Sequence, residues 1–410
     1  MAEGKDAALP PQVKGLSAVS LFNDFASEMV YPVLPAFVTG PLGGSPVMLG
    51  ALDGAADLAA ALVKWVSGRL ADRPGWAKPL IFSGYSIAVL VRPVIALASA
   101  AWQVVGLRVA DRIGKGVRSP ARDAMIVSLT PPPLRGRGFG FHRAADHFGA
   151  VLGSLTAWLL LQKQMDVRSV IGWSVVPGVL AVLILVLVLR GTRSPTVTDS
   201  RSTDFTDDTD SLRRSMKSVP SVGDGTDATG SGFWVPVGVL VLLTVARLPE
   251  TLLLLRLQDL GTPIAAIPLA WAALHVVRSA GSYPGGWLSD RLGARTALAF
   301  GILLYAAAIA GLSAALGQVA ALAVFLAHGL VAGLIEPAER VAVAKLAPIR
   351  TGRGFGRFQG LAGLAALPAG LGFGWVYRDA GGQAALMASA AVLALLMPVW
   401  LLVGRGIGRR

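Results

Sequence analysis

The sequence predicts an all-α membrane protein of twelve transmembrane helices in two pseudo-symmetric six-helix bundles. Three observations carry this: apolar runs recur along the whole length, one polar stretch divides them into two sets of six, and the two sets share a repeat. Of 410 residues, 54% are hydrophobic and 15% charged, where a soluble domain carries about a quarter charged residues. Runs of 18 or more mostly apolar residues are long enough to cross a bilayer. They fall at 16–38, 46–70, 79–100, 102–128, 138–161 and 169–190, then at 233–256, 264–288, 296–315, 318–346, 355–376 and 384–404. The leading segment MAEGKDAALPPQVKG has no apolar core, so the first run is expected to be a retained span.

Between the sixth and seventh spans lies 191–231, rich in Ser, Thr, Asp and Gly and almost free of large apolar side chains. Such a segment cannot bury enough surface to offset its ordering entropy, so it reads as a disordered linker. The expected organisation is therefore a bundle over 1–190, the linker, and a bundle over 232–410. PARDAMIVSLTPPPLRGRGFGFHRA from Pro120 and PAERVAVAKLAPIRTGRGFGRFQG from Pro337 align one gap apart, which argues for two bundles of one design.

Charge sets the orientation. Loops after even spans hold Arg69, Arg73 and Lys78, then Arg135 and Arg137, Arg291 and Arg295, and Arg350 and Arg353. Loops after odd spans are short and poor in base. By the positive-inside rule both termini and the linker are expected in the cytoplasm, with the chain in the inner (plasma) membrane. The net charge of +13 is then loop Lys and Arg facing an anionic leaflet, and no nucleic-acid partner is expected. Cysteine is absent, which removes disulfides, thiolate metal sites and cysteine nucleophiles. The chain has no G-x-x-x-x-G-K-[ST], G-x-S-x-G or H-E-x-x-H, and its four histidines do not cluster. No enzyme activity, cofactor or resident metal is expected.

Two loops carry one pattern. Gly68, Asp72, Arg73 and Gly75 follow the second span, and Gly286, Asp290, Arg291 and Gly293 follow the eighth. This is G-x-x-x-D-R-x-G, twice, at matching helix ends. Glycine lets helices approach closely in lipid, and an Asp there can accept from a facing helix N-terminus. The doubled motif resembles the loop 2–3 signature of the major facilitator superfamily and its weaker copy in loop 8–9. The resemblance spans nearly the whole chain outside the linker. It implies the major facilitator fold, alternating access, a small-molecule substrate in a central cavity, a monomer in the bilayer, and Asp72 as a latch of the outward-facing state. Arg112 and Gly116 match a further family signature, an Arg followed four residues later by Gly. The fifth span has Gly149 and Gly153, but Ser154 stands where proton-driven exporters of the family carry Pro.

Ionisable groups inside spans are costly and must face protein or water. The candidates for the coupling and substrate cavity are Asp24 and Glu28 on span one, Asp57 on span two, Arg92 on span three, Arg112 on span four, and Asp146 and His147 on span five. The second half adds Arg247 and Glu250 around Pro249, which is expected to kink span seven, then Arg278 and Glu336. Asp24 and Glu28 are four apart and share a helix face. Two such carboxylates cannot both ionise cheaply in a low dielectric, which suits proton loading, with Arg112 as the expected basic partner. Asp146 could instead pair with Arg143. The function expected is a secondary transporter, proton-coupled, exporting a small organic or drug-like solute. Uptake of an organic anion or metabolite, metal-cation efflux and a non-transporting sensor are the alternatives.

The orientation is open to direct test. Reporters fused at either terminus or within 191–231 should be active only as cytoplasmic fusions; periplasmic activity of the linker fusion would reverse the topology.

Overall fold

The computed structural model describes residues 8–407 apart from 72, 74, 131–134, 192–230, 316 and 347–350. The expected linker therefore lies almost wholly outside the described residues, as does Asp72. All regular elements among the described residues are helical.

The first crossing is α1 (Pro11–Val30), a 3-10 turn over Tyr31–Val33, and α2 (Leu34–Thr39). Pro11 opens α1 in its first turn, where a missing N–H forfeits no helical bond. Pro32 tightens the turn that follows. Then come α3 (Pro46–Ala71), α4 (Ala77–Val94), α5 (Ala101–Leu129) and α6 (Arg135–Gln162). The sixth crossing is α7 (Val167–Trp173) with α8 (Val175–Gly191). The seventh is α9 (Ser231–Val245) with α10 (Glu250–Asp259), followed by α11 (Ile267–Leu292), α12 (Ala294–Ala314) and α13 (Gln318–Leu346). One long segment, α14 (Thr351–Val403), holds the eleventh and twelfth crossings, divided where Gly381 takes φ 85°.

Among the described residues, nine segments are long and apolar enough to cross a membrane, and the ninth, 357–403, contains two crossings. The two crossings outside that set are α1 and α5, the ones that carry Asp24 and Glu28 and the Arg108–Asp123 charge run. The fold supplies several of those charges with partners, Asp111 with Arg92 and Arg108 and Glu28 with Trp271 among them.

The last glycine of each repeated loop motif takes a positive φ. Gly75 has φ 81° and Gly293 has φ 77°. Gly293 closes α11 as its C-cap. A side chain in this left-handed region costs roughly 1 kcal/mol or more, so the turn requires glycine at that place in both halves.

Packing follows the repeat. In the first half α3 packs on α5, α4 on α5 and α8, and α1 on α6; in the second α11 packs on α13, α12 on α13 and α14, and α9 on α14. Between halves the main contacts are α3 with α14 and α6 with α11, which exchange under the pseudo-symmetry. Backbone meets backbone at these seams. A Cβ on Gly50 would collide with the Gly370 carbonyl and one on Gly54 with the Ala366 carbonyl; within the first half, one on Gly149 would collide with the Leu21 carbonyl of α1.

Odd crossings run away from the end that bears the termini, and even crossings return. Four direct contacts between halves join late residues of odd crossings to early residues of even ones: Gly50 to Gly370, Gly54 to Ala366, Pro46 to Gly374, and Thr251 to Asp53. The halves are therefore sealed together at the end distant from the termini. From the seal a cavity runs toward the terminal end as far as Lys64 and Gln359.

Because the chain lacks cysteine, a single introduced thiol reports this seal cleanly. In a Val47→Cys protein, adding Gly50→Val should raise labelling by an impermeant maleimide several-fold; an unchanged rate would mean that Gly50 does not hold the seal.

Candidate functional site

The cavity between the halves is about 560 Å³, within the range of roughly 300–1,000 Å³ that holds small molecules. Its first-half wall presents Tyr31, Asp53, Asp57, Lys64 and Arg112, and its second-half wall Arg247, Glu250, Arg278, Tyr305 and Glu336. Asp53, Asp57 and Lys64 reach one space because they follow helical periodicity along a single face of α3.

Behind the first wall lies a buried charge cluster. Asp111 takes Arg92 Nε at 2.9 Å and Arg108 Nη1 at 3.4 Å, with all three side chains 3% exposed or less. Arg92 also donates to the Asn23 carbonyl of α1 at 2.7 Å. Each ion here has left water, so the cluster holds only because every charge has a partner. Arg92, expected in the cavity, is thus a tie between α1, α4 and α5 and does not line it. Arg118 donates to the Gly84 carbonyl and lies over Tyr85.

Arg112 faces the cavity without a carboxylate. The expected pairing with Asp24 or Glu28 is not formed. Asp24 accepts from Asn23 Nδ2 at 2.9 Å and lies away from the cavity lining. Glu28 crosses to the second half instead, accepting from Trp271 Nε1 at 2.7 Å with His275 Nε2 at 3.9 Å. The reason is geometric: the late turns of α1 belong to the seal, where Trp271 of α11 arrives against Tyr31. His147 lies near the same place, its ring 6.5 Å from that of His275, but does not line the cavity. Asp146 is buried beside His142 at 3.7 Å and Arg143 at 4.0 Å, and it does not line the cavity either.

Asp53 was not singled out as a site residue, yet it bridges the halves. Its Oδ2 accepts from Thr251 Oγ1 at 2.7 Å and from the Thr251 backbone N–H at 3.2 Å. Tyr31 Oη donates to its Oδ1 at 3.2 Å, and the Arg108 guanidinium stands 4.7 Å over the Tyr31 ring. Pro249 does not merely kink span seven: α9 ends at Val245 and α10 restarts at Glu250. The new helix has Pro249 at its N-cap and no side-chain cap of its own. Asp53 therefore caps α10 from the opposite half, satisfying one of its free amides. The sequence signal was available in two pieces, a Pro-Glu-Thr helix start without a Ser, Asp or Asn cap and an Asp one turn from Asp57.

The second wall is self-neutral. Arg278 meets Glu250 at 2.6 Å, Arg247 meets Glu339 at 2.8 Å, and Glu336 pairs with Arg340 one turn along α13. Of the loop motifs, Gly68 sits in the last turn of α3, whose Ser67 donates to the Gly116 carbonyl of α5 at 2.7 Å, and Arg73 is exposed. The latch expected at Asp72 falls outside the described residues, and for Gly286 and Asp290 only the helical backbone of α11 is described.

A charged cavity enclosed by two six-helix halves, sealed at one end and carried by membrane-spanning helices, defines a polytopic membrane transporter. The Major Facilitator Superfamily profile matches residues 16–254, and the chain belongs to that family. The resemblance carried by the loop motifs is borne out. The chain is 26% identical over 382 residues to an uncharacterized MFS-type transporter of Methanocaldococcus jannaschii, covering 91% of this chain and 90% of that one. It is 32% identical over 134 residues to the multidrug resistance protein MdtH of Proteus mirabilis, covering 32% and 33% of the two chains. A bacterial homolog of the human lysosomal transporter Spinster, in an inward-facing and unoccupied conformation, superposes with TM-score 0.75 at 16% identity over 98% of both chains.

The cross-half cap can be tested by substitution. Asp53→Asn and Thr251→Val should each remove a charge-assisted contact of roughly 1.5–3 kcal/mol, a shift of about tenfold or more in the balance of sealed and opened states. Spin labels on the loops 40–45 and 260–263 should show a longer distance population in both variants. Distributions identical to the parent would show that the bond holds nothing shut.

Proposed function

We propose that this chain is a proton-coupled exporter of small organic solutes, working by alternating access in the inner membrane with both termini and the 191–231 linker in the cytoplasm. The observation that carries the coupling is Glu28, a half-buried carboxylate of the first half gripped by Trp271 of the second at the seal. With the termini inside, the seal lies on the outer face and the cavity opens to the cytoplasm, so solute loads from there. When the halves part at the seal, Glu28 loses Trp271 and meets the outer solution, where it takes a proton as solute leaves. A neutral Glu28 is cheaper to carry through a low dielectric than an ionised one. On return it gives the proton up and accepts again from Trp271, with His275 and His147 beside it as relays. The partial likeness to a multidrug resistance protein supports export, and the cavity volume supports a small organic solute.

The test is dye transport in proteoliposomes under an imposed pH gradient. Glu28→Gln should abolish gradient-driven movement while sparing binding, and Asp24→Asn should shift the pH optimum. Full gradient-driven activity in both variants would remove the assignment and turn it to Asp146 and His147.

A further inference from the structure

The two cavity walls differ in how their charges are satisfied. Both second-wall arginines that line the cavity have a carboxylate at hydrogen-bond distance, Arg247 with Glu339 and Arg278 with Glu250. On the first wall, Lys64 and Arg112 line the cavity and make no hydrogen bond or ion pair among the described residues. Arg112 Nε is itself buried and without an acceptor. A buried donor left unmet is expensive, and a guanidinium more so than a neutral group. The only other ionisable group of that wall without a bonded partner is Asp57. The other carboxylate of the wall, Asp53, is held by Thr251 and Tyr31 at the seal, so Lys64 and Arg112 face one uncommitted carboxylate between them.

The helices that bear the two cations come together because of the backbone. Gly116, one turn beyond Arg112, lets α3 come in against α5, so that a Cβ there would lie 2.9 Å from Val63 Cβ, the neighbour of Lys64. Ser67 Oγ then bonds the Gly116 carbonyl and fixes the register. Beside α3, α14 adds the small and apolar lining residues Phe358, Ala362, Gly363 and Ala366. An ammonium and a planar guanidinium facing one space suit an oxyanion, to which the guanidinium can bind through two parallel bonds.

We infer that the solute is an amphiphilic organic anion whose carboxylate or phosphate seats between Lys64 and Arg112, with its apolar body along α14. This rests on the reading of the cavity as the transported solute's site. The oxyanion can belong to a water-soluble molecule or to a lipid headgroup, and the probes below separate the two.

The experiment uses the full chain in detergent, with carboxyfluorescein as the soluble anion, lysophosphatidylglycerol as the lipid anion and ethidium as a cation. Binding is measured by titration for the parent, Arg112→Gln, Lys64→Gln and Arg112→Lys. At least one anion should bind the parent more tightly than ethidium does, and whichever it is identifies the source. Arg112→Gln and Lys64→Gln should each weaken that anion by about tenfold, the loss expected of one charge-assisted contact. Ethidium should be unaffected, and Arg112→Lys should restore part of the loss. Lys64 is only partly buried, so its variant carries the test alone if Arg112→Gln folds poorly. Failure of both anions to bind the parent, or anion binding indifferent to both neutral variants, would overturn the inference. Gradient-driven transport in proteoliposomes, run in parallel, distinguishes the two readings. Intact transport of ethidium with no dependence on Lys64 or Arg112 overturns the anion site alone. Anion binding that needs both residues, without gradient-driven transport of any probe, sustains the site and overturns the proton coupling.

Discussion

The charged groups buried within the spans have been taken out of bulk water, and the fold is arranged around what then becomes of them. Asp111 shows the constraint at its strictest. It carries two arginines, Arg92 and Arg108, and Arg92 in turn holds the Asn23 carbonyl, so α1, α4 and α5 are tied by one carboxylate. This allows α5 to cross despite a charge density that takes it outside the set of apolar spans. With Asp111 spent on its neighbours behind the wall, Arg112 turns into the cavity unpaired. One residue step along the helix separates a charge buried among its partners from one that lines the cavity.

The pseudo-symmetry of the halves is close in packing and broken in chemistry. The pairs α3 with α14 and α6 with α11 exchange under it, and the motif glycines Gly75 and Gly293 both take a positive φ. Yet span seven is interrupted before Glu250 by four non-helical residues, while span one bends through a single 3-10 turn. The interruption exposes helix amides that the second half does not cap, and the first half supplies Asp53 to do it. The seal at that end depends on an asymmetry: one half has a broken helix and the other has its cap.

Much of this was legible in the sequence, and what was not has a common cause. Length and hydropathy gave the crossings, and the doubled loop motif gave the family, because both are local properties. Arg247, Glu250, Arg278 and Glu336 do line the cavity, as intramembrane charge demands. The pairing of Arg112 with Asp24 or Glu28 is not formed because one helix alone does not show what faces it; Glu28 meets Trp271 of the other half, and Asp24 accepts from the adjacent Asn23 amide. Arg92 was misplaced for the same reason, since nothing in span three alone reveals Asp111 behind it. Asp53 stays hidden in the sequence for the same reason, since its partner Thr251 lies on the other half.

The seal at Gly50 and Gly370 is made of main chain. Two carbonyl-to-Cα approaches carry no side-chain identity, so they ask of a sequence only that it keep its glycines. The cavity wall a turn or more further along α3, at Asp57 and Lys64, is made of side chains and nothing else. A single helix thus carries both the glycine seam and the charged cavity wall. Lineages of this design can change what they carry by exchanging a few side chains along one face, leaving the hinge of the machine untouched. Relatives with the same glycine seam and different cavity charges are what such a division of labour would produce.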